Sequence, residues 1–233
     1  MAAKDNVKLI GLSMSPFVAR PRIVLKLKGI EFEFLQEQFG KKSELLLKSN
    51  PVYKKVPVLI HEGKPICESL IIVEYIDEVW TNSGFSILPS DPYDRAIARF
   101  WGGYIDDKIL PQVRPFLEDS DESSKAEAKE QLLATMKQLE EAFEQCSKGK
   151  SFFGGDNIGY VDIALGSHVG WIKAFEKIAG SKFLDETKTP LLTRWAACFL
   201  SADSVKGVIP EADELVEFAK TIAAARRHSS PPS

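Results

Sequence analysis

The hydrophobic pattern changes near residue 82, and this change constrains the fold more than any other feature of the chain. Before it, short apolar runs of strand length alternate with helical stretches. After it, every apolar pattern recurs at helical spacing. Turn-forming residues are concentrated between Thr81 and Pro92. The sequence therefore predicts an α/β unit over residues 1–82, a linker at 83–92, an all-helical unit over 93–228 and a disordered tail at 229–233.

The first unit is predicted to run β-α-β-α-β-β-α, an order that suits a small mixed sheet covered by helices. Its first helix extends from Pro16 to about Lys28, where Gly29 supplies a residue that tolerates positive φ at a helix end. The other predicted elements are strands at Val7–Gly11 and Glu31–Leu35, a helix at Ser43–Ser49, a hairpin of Val58–Ile60 and Pro65–Cys67, and a helix from Ser69 to Trp80.

The second unit is predicted to contain only helices. Its first pattern is long and is interrupted by Pro111 and Pro115, which remove backbone donors. The predicted helices are Tyr93–Leu117, Ser124–Cys146, Tyr160–Ala179, Pro190–Leu200 and Glu211–Arg227.

Composition excludes several classes of protein. The 30 Lys and Arg against 33 Asp and Glu argue against a general nucleic-acid binder, which needs a basic excess. No apolar run is long enough to span a membrane, and the N-terminus lacks the apolar segment of a secretory signal. The 3 cysteines and 3 histidines have no metal-ligand spacing, so we expect neither a metal site nor a disulfide framework. A reducing, cytoplasmic location fits this cysteine usage best.

Ser15 and Pro16 stand between the first predicted strand and helix, and two interpretations of this corner are open. Serine is a preferred N-cap and proline is favoured at the first helical position, so the pair serves as an ordinary helix start. The corner also follows a strand of an α/β sheet, where ligands collect, and a helix N-terminus stabilises an anion such as a thiolate. Physical chemistry alone does not choose between them.

Seven segments along the chain decide the question, because together they closely resemble the plant tau-class glutathione S-transferases. One motif alone would be weak, whereas these cover nearly the whole chain in order and at family spacing. The resemblance implies the cytosolic glutathione transferase fold, an α/β thioredoxin-like N-terminal domain followed by an all-α C-terminal domain. The segments are Ser15–Arg20, Lys41–Leu46, Asn50–Leu59, Ile66–Leu70, Leu88–Tyr93, Arg99–Trp101 and Phe153–Ala164.

The resemblance implies a role for each residue of a glutathione site. Ser15 donates a hydrogen bond to the glutathione sulfur and does not attack the substrate. Glutathione is thus a co-substrate, and no cofactor is expected. The remaining implied ligands are Lys42 and Lys55 for the glycyl carboxylate, Val56 for the cysteinyl backbone through a cis bond to Pro57, and Glu68 and Ser69 for the γ-glutamyl group.

A second subsite for hydrophobic electrophiles is implied between the two domains. Its residues are hard to distinguish from core, because an aromatic residue at helical spacing is usually core. By resemblance the pocket is lined by Leu12, Phe17, Leu110, Arg114, Leu117, Trp171, Phe218 and Ile222. Two of these positions, 110 and 117, often carry aromatic residues in relatives, so Leu110 and Leu117 predict a less aromatic pocket.

The expected function is a serine-type glutathione S-transferase that conjugates glutathione to electrophiles from xenobiotics or stress. A peroxidase side activity on organic hydroperoxides would use the same thiolate. A carrier of hydrophobic ligands in the interdomain cleft is the alternative from another class. Relatives are homodimers, so a two-fold dimer is expected, without nucleic-acid or membrane partners.

Asp162 is expected to be structural. In the family an acid at this position reaches back to the N-cap N–H of its helix. Here the N-cap is Gly159, which has no side chain to accept the backbone N–H of Asp162. Only the bond from the Gly159 N–H to the Asp162 carboxylate is therefore expected.

Overall fold

The computed structural model describes residues 6–118 and 120–229, with side chains through residue 226. Its N-terminal half confirms the predicted order of elements. The elements are β1 (Val7–Gly11), α1 (Pro16–Leu27), β2 (Glu33–Gln36), α2 (Glu44–Ser49), β3 (Val58–His61), β4 (Lys64–Cys67) and α3 (Ser69–Val79). Only β2 is clearly displaced, because it starts two residues later than its alternating pattern predicts.

The four strands form one mixed sheet in the order β2-β1-β3-β4. β1 pairs in parallel with β2 and antiparallel with β3, and β3 pairs antiparallel with β4. The end of β1 lies very close to α1, since a Cβ built on Gly11 would be 2.4 Å from a methyl group of Val18. Glycine at position 11 therefore allows the first turn of α1 to pack closely against the end of β1.

The C-terminal half is all-helical, as predicted. Its helices are α4 (Pro92–Leu117), α5 (Glu122–Ser147), α6 (Tyr160–Gly166), α7 (Val169–Ala179), α8 (Pro190–Ser201) and α9 (Ala212–Ser229). The long helix predicted over Tyr93–Leu117 is present as α4, which continues through Pro111 and Pro115 although both interrupt its pattern. One face of α4, including Ile105, Ile109 and Val113, is buried in the core. That burial outweighs the missing backbone hydrogen bonds.

The prediction of a single helix over Tyr160–Ala179 is wrong, because this segment forms two helices, α6 and α7. The carbonyl of Ala164 accepts hydrogen bonds from Arg20 Nη2 (3.0 Å), Ser167 Oγ (3.0 Å) and His168 Nδ1 (3.1 Å). The backbone N–H of His168 bonds instead to the Leu165 carbonyl. In a continuous helix the Ala164 carbonyl would accept the backbone N–H of His168, whereas here side chains occupy that carbonyl.

The segment between α3 and α4 is anchored by a buried ion pair. Lys28 Nζ lies 2.7 Å from Asp77 Oδ1 and also donates to the Phe85 carbonyl. The Asp77 carboxylate accepts the backbone N–H groups of Ile87 and Leu88. These bonds fix the chain between the two halves.

Two of the predicted domain boundaries differ from the observed elements. Pro92, the last residue of the predicted linker, is the first residue of α4. Ser229, the first residue of the predicted tail, ends α9, and residues 230–233 lie outside the described residues.

Asp162 is fully buried and connects three parts of the C-terminal half. Its carboxylate accepts the backbone N–H groups of Phe153, Gly154 and Gly159 at 2.8–2.9 Å and the indole N–H of Trp195 at 2.7 Å. The bond from Gly159 is the half of the capping box that the sequence predicts. The other three bonds tie the loop before α6 and helix α8 to the same carboxylate.

Candidate active site at the interdomain cleft

Strand register brings the four predicted glutathione-binding segments to one end of the sheet. Gly11 at the end of β1 is paired with Gln36 at the end of the parallel strand β2. Ile10 is opposite Val58, the first residue of β3, and Val58 is opposite Cys67, the last residue of β4. The segments that carry residues 15, 42, 56 and 68 therefore all leave or enter the sheet at this end.

Ser15 is the N-cap residue of α1, with φ −82° and ψ 126°, and its side chain makes no capping hydrogen bond. Its carbonyl accepts the N–H groups of Val18 and Ala19, and its own N–H donates to the Leu12 carbonyl at 2.9 Å. The backbone is therefore held on both sides while the hydroxyl remains available. The interpretation of Ser15 as an ordinary N-cap requires its hydroxyl to accept a backbone N–H of α1, and this hydroxyl accepts none.

The loop that carries Lys42 is closed by a carboxylate. Glu37 accepts hydrogen bonds from the backbone N–H of Ser43 at 2.9 Å and from the Ser43 hydroxyl at 2.5 Å. Ser43 in turn caps α2 by accepting the N–H of Leu46. Lys42 itself is exposed and has no ion-pair partner within residues 6–118 and 120–226, which leaves its charge available to an anion.

The peptide bond between Val56 and Pro57 is cis, which confirms the prediction for this bond. The buried side chain of Asn50 spans the loop before it, donating to the Lys55 carbonyl at 3.0 Å and accepting the N–H of Tyr53 at 3.1 Å. Lys55 is exposed and Pro57 is buried. Asn50 therefore holds the loop that leads into the cis bond, and its sequence pattern alone does not indicate this.

Glu68 and Ser69 form the start of α3. Glu68 has φ 71° and ψ 119°, a conformation that a residue with a Cβ adopts only at a cost. Ser69 is 6% exposed, and its hydroxyl accepts a hydrogen bond from Arg20 Nη1 at 3.0 Å. A hydroxyl that accepts one bond keeps its proton to donate to a ligand.

Arg20 is the site residue that sequence reasoning missed. It is fully buried, and its guanidinium reaches Asp106 on α4 at 2.5 Å and 3.0 Å as a two-pronged ion pair. It also donates to the hydroxyls of Ser69 and Ser167 and to the Ala164 carbonyl. The signal in the sequence was a charged residue within the apolar pattern of α1. Arg20 joins the start of α3 to the helical domain.

Several predicted electrophile-pocket residues lie where the two domains meet. Trp171 on α7 is 8% exposed, and its indole N–H donates to the carbonyl of Met14, the residue before Ser15, at 2.9 Å. The Trp171 ring also lies 6.3 Å from Phe218 of α9, which in turn contacts Phe39 of the N-terminal domain at 5.2 Å. Leu12, Phe17 and Ile222 are all half-buried.

The three predicted pocket residues on α4 have different surroundings. Leu117 is buried within the core, whereas Leu110 is 43% exposed. Arg114 is exposed and pairs with Glu118, which also binds Arg226 of α9. Of the three, Leu117 is in the environment of a core residue, while Arg114 belongs to a charged link between α4 and α9.

His168 is a buried titratable group beside Phe17, whose ring meets the imidazole edge-on at 5.6 Å. Its Nδ1 carries the proton, because the Ala164 carbonyl that it contacts can only accept. Its Nε2 is buried without a hydrogen-bond partner among the described residues. Burial, followed by repulsion from Arg20, lowers the pKa of His168 from 6.5 to about 3.

We expect acid to destabilise the fold through His168. The unfolded chain takes up a proton near the ordinary pKa of 6.5, whereas the folded chain does not until about 3. The neutral His168 therefore contributes its full stabilisation above pH 6.5. Below that pH the free energy of unfolding falls by up to about 1.4 kcal/mol per pH unit. Urea unfolding between pH 7 and 4 should show this loss. In His168→Phe the free energy of unfolding should depend less on pH over the same range. Parallel pH profiles of the two proteins would contradict it.

The structure bears on two further classes of function. Among the described residues, no group of three or more His, Cys, Asp or Glu side chains is arranged to hold a metal ion. Within the same residues, none of the helices combines the length and the apolar character that a membrane span requires.

Comparisons with known proteins agree with this architecture. A family model for the glutathione S-transferase N-terminal domain matches residues 5–78, and one for the C-terminal domain matches residues 100–203. Glutathione S-transferase U17 of Arabidopsis thaliana is 58% identical over 220 residues, which are 94% of this chain and 97% of that protein. Glutathione S-transferase U18 of the same plant is 57% identical over 220 residues, with the same coverage.

Solved structures show the same relationship. The tau-class glutathione S-transferase of mango, Mangifera indica, is 53% identical with a TM-score of 0.90, covering 95% of this chain and 100% of that one. Rice GST1, solved in complex with glutathione, is 33% identical with a TM-score of 0.86 and the same coverage. The predicted fold class is confirmed, and the chain belongs to the tau class of the glutathione S-transferase family.

Proposed function

We propose that this glutathione S-transferase activates the thiol of glutathione with the Ser15 hydroxyl and joins the sulfur to hydrophobic electrophiles. One observation carries the proposal: Ser15 stands at the N-terminus of α1 with its hydroxyl uncommitted to capping. The helix N-terminus and this hydroxyl form a setting that favours a thiolate over a thiol.

The free energy needed to stabilise the thiolate can be compared with what the Ser15 hydroxyl and the N-terminus of α1 contribute. A free thiol with a pKa of about 8.5 is only a few per cent ionised at neutral pH. Lowering that pKa by about two units requires about 2.7 kcal/mol in favour of the thiolate. A hydrogen bond to a charged group contributes about 1.5–3 kcal/mol, and a helix N-terminus adds about 0.3–1 kcal/mol. The two contributions together, about 2–4 kcal/mol, span the energy required.

The rest of glutathione would extend along the same end of the sheet. Lys42 and Lys55 would attract the glycyl carboxylate, and the backbone of Val56 would pair with the cysteinyl unit. Ser69 would donate to the γ-glutamyl carboxylate at the start of α3, and Glu68 would pair with the γ-glutamyl ammonium. The strand register and the free charge of Lys42 support this arrangement.

Lys42→Ala should raise the KM for glutathione about three- to fivefold and leave kcat nearly unchanged, because an exposed point charge contributes little. The effect should shrink as salt is added, since ions screen such contacts. Steady-state kinetics at low and high ionic strength would measure both. Lys41→Ala is the matched control on the neighbouring exposed lysine. An equal rise in KM in both variants would show that no specific contact is made at position 42.

The second substrate is proposed to enter between the domains beside Phe17, Trp171 and Phe218. Hydrophobic electrophiles of xenobiotic or stress origin fit a site bordered by these aromatic rings. Holding such a molecule next to the thiolate would supply further rate enhancement through proximity.

Turnover of a model aryl halide with glutathione tests the proposed activity. We expect saturable conjugation that depends on both substrates. Tight binding of the halide without turnover would favour a carrier of hydrophobic ligands instead. Reduction of cumene hydroperoxide without conjugation would favour the peroxidase activity.

We also propose that the enzyme is a homodimer. Ile71 of α3 and Tyr93 and Phe100 of α4 are 58%, 71% and 60% exposed, and an ion pair between Glu74 and Arg99 joins the two helices. Exposed apolar side chains of this size are typical of an interface. Sedimentation should give twice the mass of one chain, and Phe100→Glu should shift the protein towards monomer. A monomeric wild type would contradict this proposal.

A further inference from the structure

A hydrogen bond joins the helical domain to the loop of Ser15. Trp171 Nε1 donates to the Met14 carbonyl at 2.9 Å, across the boundary between the two domains. Trp171 as a whole is 8% exposed, so water competes little for this bond. Met14 is also partly buried against the same core.

This bond acts on the peptide plane that leads into Ser15. The carbonyl end of the Met14–Ser15 peptide is held by Trp171, and its N–H end is held by the Leu12 carbonyl at 2.9 Å. On its other side, Ser15 is followed by Pro16, and its carbonyl accepts two N–H groups of α1. With both flanking planes fixed, the Ser15 hydroxyl moves only by rotation about its own χ1 bond.

The indole N–H is separable from the packing of the ring. The Trp171 ring stacks on Phe175 at 5.3 Å, with 25° between the planes, and lies beside Phe218. A ring without the N–H would keep these contacts, because none of them requires a donor. Loss of the donor would release only the Met14 carbonyl.

We propose that Trp171 is a positioning residue for thiol activation, whose indole N–H holds the Met14–Ser15 peptide so that the Ser15 hydroxyl is directed at the sulfur. The inference rests on the proposed role of Ser15 and gives the helical domain a part in glutathione activation. It assigns to Trp171 a task different from lining the electrophile pocket.

Trp171→Phe tests the proposal, with the pKa of enzyme-bound glutathione as the main readout. Thiolate absorbance of the binary complex, followed against pH, gives this pKa without any electrophile present. We expect the pKa to rise by about half a unit to one unit and kcat/KM below neutral pH to fall about fivefold, because site groups tolerate only about 0.5 Å of displacement. The KM for glutathione should change less than about twofold. Trp101→Phe, the same change in a tryptophan that packs on Phe100 and Tyr104, should leave the thiol pKa unchanged.

A purely structural role would lower stability or the active fraction but would leave the pKa of the bound thiol where it is. An unchanged pKa in Trp171→Phe therefore overturns the proposal. If that variant folds poorly, benzothienylalanine at position 171 keeps the ring shape without the N–H and should raise the pKa equally. An ordinary thiol pKa in the wild-type complex would overturn the role of Ser15, and this inference with it. A lowered wild-type pKa that both variants retain would overturn this inference alone.

Discussion

Ser15→Ala should lower kcat/KM for aryl halide conjugation at pH 7 about 25-fold, because a thiol with a pKa of about 6.5 is about three-quarters ionised at that pH and one with a pKa of about 8.5 only about 3%. The variant should still bind glutathione with nearly wild-type affinity. The contacts proposed for Lys42, Val56 and Ser69 do not involve the hydroxyl that is removed. The substitution leaves the backbone bonds of residue 15 intact, so the fold should be preserved.

Ser15→Thr is the matched control, because it keeps a hydroxyl at the start of α1. We expect it to retain a substantial share of the wild-type rate. Calorimetric titration with glutathione separates loss of binding from loss of chemistry. If Ser15→Ala turned over as fast as the wild type, another group would have to activate the thiol.

Asp162→Ala should reduce the free energy of unfolding by about 4 kcal/mol, which is a large part of the stability of a typical domain. The substitution leaves three backbone N–H groups and the Trp195 indole N–H buried without their acceptor. Each buried unsatisfied donor costs about 1–3 kcal/mol, and some of that cost is relieved by relaxation. Urea unfolding, followed by tryptophan fluorescence, measures the change.

Asp156→Ala provides the control within the same loop. Its carboxylate is 75% exposed and pairs only at the surface with Lys150 at 3.2 Å. We expect this variant to change stability by less than about 0.5 kcal/mol. The protein fraction of Asp162→Ala that does fold should conjugate glutathione at a rate close to the wild type. Native stability with lost catalysis would instead assign Asp162 to the chemistry.

Local patterns were sufficient to predict the order of elements in the N-terminal half. A proline at the start of α1, Gly29 after its end and alternation within the strands are all signals that act over a few residues. The same signals conflict in α4, where the apolar spacing predicts one helix and Pro111 and Pro115 interrupt the pattern. Tertiary burial decided the outcome there, and a local pattern does not report it.

The division between α6 and α7 shows the same limit from the opposite direction. Apolar spacing continues through residues 160–179, yet the helix ends because the Ala164 carbonyl is occupied by three side chains. One of these belongs to Arg20, which is more than a hundred residues away. Only the folded chain reveals that competition.

The glutathione site was predictable to the extent that its residues stand in recognisable motifs. Ser15, the cis bond at Pro57 and the Glu68–Ser69 corner are of this kind. Arg20 and the donor role of Trp171 were not found, because their partners come from distant parts of the chain. Positioning groups of this sort leave only a weak trace in sequence, such as a charge within an apolar helix.

The central claim is that the Ser15 hydroxyl keeps the glutathione sulfur ionised. Titrating the thiolate of bound glutathione by its ultraviolet absorbance, in the wild type and in Ser15→Ala, tests it most directly. We predict a pKa about two units below the ordinary thiol value in the wild type and a return to about 8.5 in the variant. The same lowered pKa in both proteins would contradict the account.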